Sequence, residues 1–199
     1  MNQPNFVLAF SFVLSILLFG NTAFTQGRGQ HPAAQGLNVT LHLVVGGDDV
    51  SGLRELPAGL DPVVRQIRSA YPHKNYRLAD TIFARAADNS TIEYKGSSGL
   101  MGHDTKRAFL DWSLAGLRRS SNAVSFESVL FRFNARVPVA AAAVQEPDGK
   151  TRSIYDYETA AFSLATLSIP ENVPTLLGTL SLPNNDTLYL VVSVRSPNP

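Results

Sequence analysis

The sequence predicts a mainly β chain of the α+β class: an antiparallel sandwich or pair of packed sheets carrying one short helix near residues 61–71. Three observations predict it. In LNVTLHLVV, residues Leu37, Val39, Leu41, Leu43 and Val45 fall on one face and Asn38, Thr40 and His42 on the other, the alternation of a half-buried strand. Comparable apolar runs recur at short spacing towards the C-terminus, separated by turn residues. Only one stretch, Asp61 to Tyr71, repeats its apolar residues with a helical period.

The elements follow in order. Gly46-Gly47-Asp48-Asp49 ends the first strand, and a loop runs to Gly59. Asp61 is expected to cap the helix and Pro62 to occupy its first turn, where a missing N–H costs nothing. Val63, Val64, Ile67 and Tyr71 form the apolar stripe, and Pro72 stops the helix. Tyr76 to Ala87 and Thr91 to Lys95 read as a hairpin joined at Asp88-Asn89, and Gly96 to Thr105 as a polar, glycine-bearing loop. Phe109 to Leu117 fits both periods, and Leu110, Trp112 and Leu114 favour a strand. Val129 to Val137 alternates, Pro147-Asp148-Gly149 is a turn, and Ala160–Ile169, Thr175–Leu182 and Thr187–Val194 are three more strands. Pro183 to Asp186 is the loop between the last two, and the closing strand is a candidate free edge open to strand addition.

Charge and hydropathy divide the chain differently. All 17 Lys and Arg and all 16 Asp and Glu lie beyond Thr25. Phe6 to Gly20 is an apolar run of a length suited to a signal-peptide core and short for a membrane span. Ala23 and Thr25 then offer small residues for cleavage before Gln26. The expected organisation is a signal peptide over 1–25, a flexible leader over 26–36, and a single β-rich domain over 37–199, with a possible division near 97–105. After cleavage no apolar run reaches spanning length. A net charge of +1 supplies no electrostatic footprint for nucleic acid. Zero cysteines exclude disulfides and thiolate chemistry, and suit a bacterial envelope better than an oxidising animal secretory route.

No catalytic, cofactor-binding or metal-binding residue emerges. Of the four histidines, His31 lies in the leader, His73 follows Pro72, and His42 sits on the polar face of a strand. His103-Asp104 is the one pair in which a carboxylate could orient an imidazole, but two adjacent side chains rarely chelate one ion. Gly96-Ser97-Ser98-Gly99 misses the nucleophile elbow by one residue. Gly46-Gly47-Asp48-Asp49 lacks the alternating ligands of a calcium loop. Asp48, Asp49, Asp61, Asp80, Asp104, Asp111, Asp156 and Glu158 could supply paired carboxylates for hydrolysis, but spacing does not pair them. Lys106-Arg107 and Arg118-Arg119, with Trp112 between, form a locally basic stretch best read as a wet face.

Two stretches carry a resemblance. Leu60 to Arg68 followed by Tyr76-Arg77-Leu78-Ala79-Asp80-Thr81 resembles uncharacterised exported bacterial proteins, which in outline are similar to secretin modules. The close, Phe162–Ile169, then Val173 to Thr179 with its Gly178, then Thr187–Val194, is similar to a secretin-type ending. The long pore-forming domain and the acidic or glycine pair of the glycine-bearing strand are missing, so the resemblance is to a module and transfers no functional residue. It implies an envelope setting, exported to the periplasm or beyond.

These readings converge on an exported bacterial envelope protein, a β-rich binding or assembly module without cofactor or catalytic activity, meeting an envelope protein partner through a sheet edge. The alternative is a small secreted hydrolase using loop carboxylates. A third is a carrier with an apolar cavity lined by Phe131, Phe133, Leu188 and Leu190.

Overall fold

A computed structural model describes residues 36–197, apart from 49, 51, 101–106, 122–123, 146–150 and 184. The N-terminal segment, His103-Asp104 and the Pro147-Asp148-Gly149 turn therefore lie outside the described residues. Among the described residues, eight strands and one α-helix follow along the chain: β1 (Leu37–Gly47), α1 (Asp61–Ala70), β2 (Asn75–Ala86), β3 (Ser90–Ser98), β4 (Ala108–Arg119), β5 (Ser125–Gln145), β6 (Thr151–Pro170), β7 (Thr175–Ser181) and β8 (Thr187–Arg195). They form two four-stranded antiparallel sheets, ordered β2-β1-β8-β7 and β3-β4-β5-β6. The fold is the β sandwich that the alternation predicted, with one short helix.

The main core fills the space between the sheets. Val39, Leu41 and Leu43 from β1, Trp112 and Leu114 from β4, Phe131 and Phe133 from β5, and Leu188 and Leu190 from β8 are buried in one cluster. Phe131, Phe133, Leu188 and Leu190 thus serve as packing in that core. A second cluster lies on the opposite face of the first sheet, where Leu60, Val63, Val64 and Ile67 pack on Val44, Tyr76, Leu78, Tyr189 and Val191. The order of layers is helix, sheet, sheet. This explains why Tyr189 and Val191 are buried although they alternate with the core-facing residues of β8: both faces of that strand are covered.

Bulges let one strand serve both layers. Leu43 pairs with Asp80 but Val44 with Leu78, leaving Ala79 as the extra residue in β2. Before it, Tyr76 and Leu78 face the helix; after it, Ile82 and Ala86 face the other sheet. In β7 the shift between Leu176 and Gly178 does the same, sending Leu176 towards the helix and Leu177 and Leu180 into the main core.

Several expectations are corrected. The closing strand is no edge: β8 lies between β1 and β7, with its backbone paired on both sides. Residues 96–98 continue β3, since Gly96, Ser97 and Ser98 pair with Leu110, Phe109 and Ala108. Asp61 is the first helical residue instead of the cap; Leu60 precedes it without a side-chain capping bond, and the Asp61 carboxylate favours the helix start through the dipole. Tyr71 falls just past the helix and is 42% exposed.

Candidate functional site

The longest strands make the most unusual surface. β5 and β6 pair from Ser125 and Pro170 outward as far as Gln145 and Thr151. On its other side β5 pairs with β4 only as far as Arg136, opposite Phe109. Beyond that point, among the described residues, the hairpin continues as a two-stranded arm. Ala140 to Gln145 are exposed along one strand and Thr151 to Ile154 along the other. Six residues of strand reach about 20 Å. A lone two-stranded ribbon is marginal in water. Val144, Ile154 and Tyr157 nonetheless hold 47%, 49% and 44% of their surface open.

The two strands of the arm are protected unequally. β6 carries Arg152, Asp156 and Glu158, charges of the kind that discourage edge pairing. From Val137 to Gln145, β5 carries none, and no described strand pairs with it on the β4 side there. Four consecutive alanines, Ala140 to Ala143, keep the side chains on both faces of this edge small.

At the root of the arm, the outer face of the second sheet is concave. A depression of about 700 Å³ is lined by residues of all four strands of that sheet. The register explains its composition. Ser97, Phe109, Arg136 and Thr159 stand in one cross-strand row, and Lys95, Asp111 and Asn134 in the next. Residues alternate between faces, so each outward residue here is the neighbour of a core residue such as Leu110 or Ala135. The Arg136 guanidinium lies 5.2 Å from the centroid of the Phe109 ring, and the Tyr157 ring is 5.4 Å from it on the arm side. Lys95 and Asp111 are joined at 3.4 Å. Ser97 of the Gly96–Gly99 motif lines the depression, but no described histidine does, so the motif gains no base.

A smaller recess of about 290 Å³ lies beside the helix, lined by Arg65, Arg68 and Arg77 together with Glu55 and Asp61. Of the eight carboxylates singled out from the sequence, the six described ones do not converge. Asp111, Asp61 and Glu158 line three different recesses. Asp48 pairs with Lys74 and Asp80 with Arg54, while an Asp156 oxygen accepts the Tyr157 N–H. Asp49 and Asp104 lie outside the described residues.

No known family model, characterised protein or solved structure matches the chain. The geometry alone therefore carries the functional reading.

The remaining sequence candidates fall into structural places. His42, on the polar face of β1, is half-buried; burial, and then Arg195, hold its pKa below the ordinary value, and its Nδ1 lies 3.1 Å from the Thr81 hydroxyl. His73 stands at the corner where β1, α1, β2 and β8 meet. Its Nε2 is 3.0 Å from the Thr187 hydroxyl, and its ring meets those of Tyr76 and Tyr189 edge-on. Gly46 makes this cluster possible: a methyl there would sit 2.7 Å from His73 Cδ2 and 3.0 Å from each tyrosine ring. This glycine, expected from the sequence only to end the strand, is thus a packing position. Arg118 and Arg119 are ion-paired, with Glu127 and Glu171, and Trp112 is buried in the core away from them. Among the described residues no three His, Asp or Glu side chains are grouped to hold a metal ion.

Sequence reasoning passed over Phe109, Asn134 and Arg136 as a set. The signal was present: Phe109 is an aromatic residue on the outward phase of a strand whose inward phase is Leu110, Trp112 and Leu114.

Proposed function

We propose that this chain is an exported bacterial envelope protein that works as a binding or assembly module, and that the β5–β6 arm engages an envelope protein partner. The single observation that carries this reading is the free edge of β5 from Val137 to Gln145, uncharged, unpaired on that side among the described residues and exposed from Ala140 onward. The occupant it fits is an extended segment of another protein, added antiparallel or parallel to β5. Main-chain hydrogen bonds supply the affinity, and the small alanine side chains admit close approach. The exposed Val144 and Ile154 then gain a partner's apolar surface. The signal-like N-terminus and the lack of cysteine support the envelope setting.

The test is site-specific photocrosslinking in intact bacterial cells. A crosslinker at Ala143 is expected to give an adduct with a membrane-fraction protein, and one at Phe83, exposed on β2, to give none. Unadducted monomer at both positions would refute the reading. Among the recesses described above, the hydrolase alternative keeps the one holding Glu55 and Asp61, where three arginines share the space.

A further inference from the structure

The depression at the root of the arm is chemically distinct from the arm itself, and we propose that it binds acidic oligosaccharides. The inference rests on the sheet face and is independent of any protein partner.

Three features carry it. First, its polar groups are set on rigid strands at fixed intervals. Phe109, Arg136 and Thr159 follow one another across three neighbouring strands, which span roughly 10 Å, and Asp111 and Asn134 form a second row. Such a row suits a linear chain of rings bearing hydroxyls at regular intervals. Ser97 and Thr159 hydroxyls and the Asn134 amide can each donate and accept, as sugar hydroxyls require. No hydrogen bond within the described residues occupies these three side chains.

Second, Phe109 is 43% exposed in the middle of this polar array. The C–H face of a pyranose ring is apolar and electron-poor at its edges, and it packs on an aromatic ring. Tyr157 extends the aromatic surface towards the arm.

Third, the charge is selective. Lys95 is already joined to Asp111, whereas Arg136 has no carboxylate within ion-pair distance among the described residues. Its guanidinium lies over the ring of Phe109, 5.2 Å from the centroid. Its N–H donors carry no carboxylate partner among the described residues, and a ligand carboxylate is the group that Arg matches bidentately. The ligand class is therefore a sugar chain bearing uronic or similar acid groups. The volume, about 700 Å³, falls in the range of small-ligand sites and exceeds that of a single ion.

Native electrophoresis of the full chain through gels containing alginate, polygalacturonate or hyaluronate tests this, with titration of the retarding species followed by NMR. Retardation by at least one of the three is expected, with shifts centred on Phe109 and Asn134. Phe109→Ala and Arg136→Gln are each expected to weaken binding tenfold or more. Arg65→Gln, on the helix side, serves as the control for loss of charge alone and should change it less than twofold. Esterifying the acid groups of the ligand should weaken binding to the same degree as Arg136→Gln. Both site variants alter outward-facing residues, and an unchanged melting temperature verifies that they fold. No retardation by any of the three polymers overturns the proposal. Equal binding by both site variants, or by the esterified ligand, also overturns it.

Discussion

The Phe162 ring of β6 lies across the bare backbone of Gly178 in β7, so close that a methyl at 178 would come within 2.5 Å of the ring's Cε2. β6 belongs to one sheet and β7 to the other, so this contact closes one side of the sandwich. Gly178 also follows the register shift that turns Leu176 and Leu177 to opposite layers. Replacing it with alanine pushes the ring aside and disturbs the bulge. Gly178→Ala should cost about 1–3 kcal/mol, the usual range for overpacking. Urea unfolding of the single variants and of Phe162→Ala/Gly178→Ala measures the coupling. A strictly additive double variant would show that the ring does not set the requirement for glycine.

A second closure lies at the C-terminal end of β6. Arg119 at the end of β4 donates to both carboxylate oxygens of Glu171, at 3.0 and 3.4 Å, and the Ser196 N–H donates to the same group at 3.1 Å. The Ser196 hydroxyl, and then Arg119, hold the Glu171 carboxyl down at about 2 from its ordinary 4.5. The folded state therefore prefers the ionised form. The resulting stability is present above about pH 4.5 and is lost as pH falls towards 2. Glu171→Gln should lower the melting temperature at pH 7 and flatten its dependence between pH 5 and 2. Equal acid sensitivity of variant and wild type would contradict the assignment.

How much of this was legible in the sequence depends on which face a residue shows. The period-2 pattern located β1, β4, β8 and the core because Leu37–Val45, Leu110–Leu114 and Leu188–Val194 each keep one phase throughout. Where a bulge changes phase, as at Ala79 and Leu177, alternation within the strand breaks and the two covered faces become indistinguishable. Burial of Tyr189 and Val191 by a helix more than 100 positions earlier is likewise a tertiary fact, without a local trace. The depression was hidden for a related reason. Ser97, Phe109, Asn134 and Arg136 come from three strands, and only the pairing register brings them into adjacent rows.

The aromatic corner yields an alkaline prediction. Tyr189 is fully buried, and its hydroxyl makes no hydrogen bond of sound geometry among the described residues, with the Thr187 and Tyr76 hydroxyls nearby. Burial, and then the neighbouring Tyr76, push its pKa up to about 12 from 10.0. The unfolded chain thus loses this proton first, and stability falls as pH rises through that interval. Tyr189→Phe removes a buried polar group that lacks a partner. It should be neutral or stabilise by up to about 1 kcal/mol at pH 7. It should also lose less stability than wild type as pH rises from about 9 to 11.5, measured by denaturant midpoint. A loss of several kcal/mol at neutral pH would mean that the hydroxyl is bonded after all.

The arm makes the sharpest separation between folding and function. Ala142 is exposed, and among the described residues its strand is paired only with β6 at that point. A lysine there adds a charge to an edge that has none, which is how natural sheets discourage strand addition. Because nothing packed is disturbed, Ala142→Lys should change unfolding free energy by no more than about 0.5 kcal/mol. If β5 receives a partner strand, the same change should abolish the Ala143 crosslink in cells while leaving the sandwich intact. The paired measurement matters because an unstable arm would lose the crosslink too. An unchanged melting curve with a persistent crosslink would mean that the partner meets the arm without adding a strand to β5, whereas an unchanged curve with a lost crosslink assigns the contact to the β5 edge.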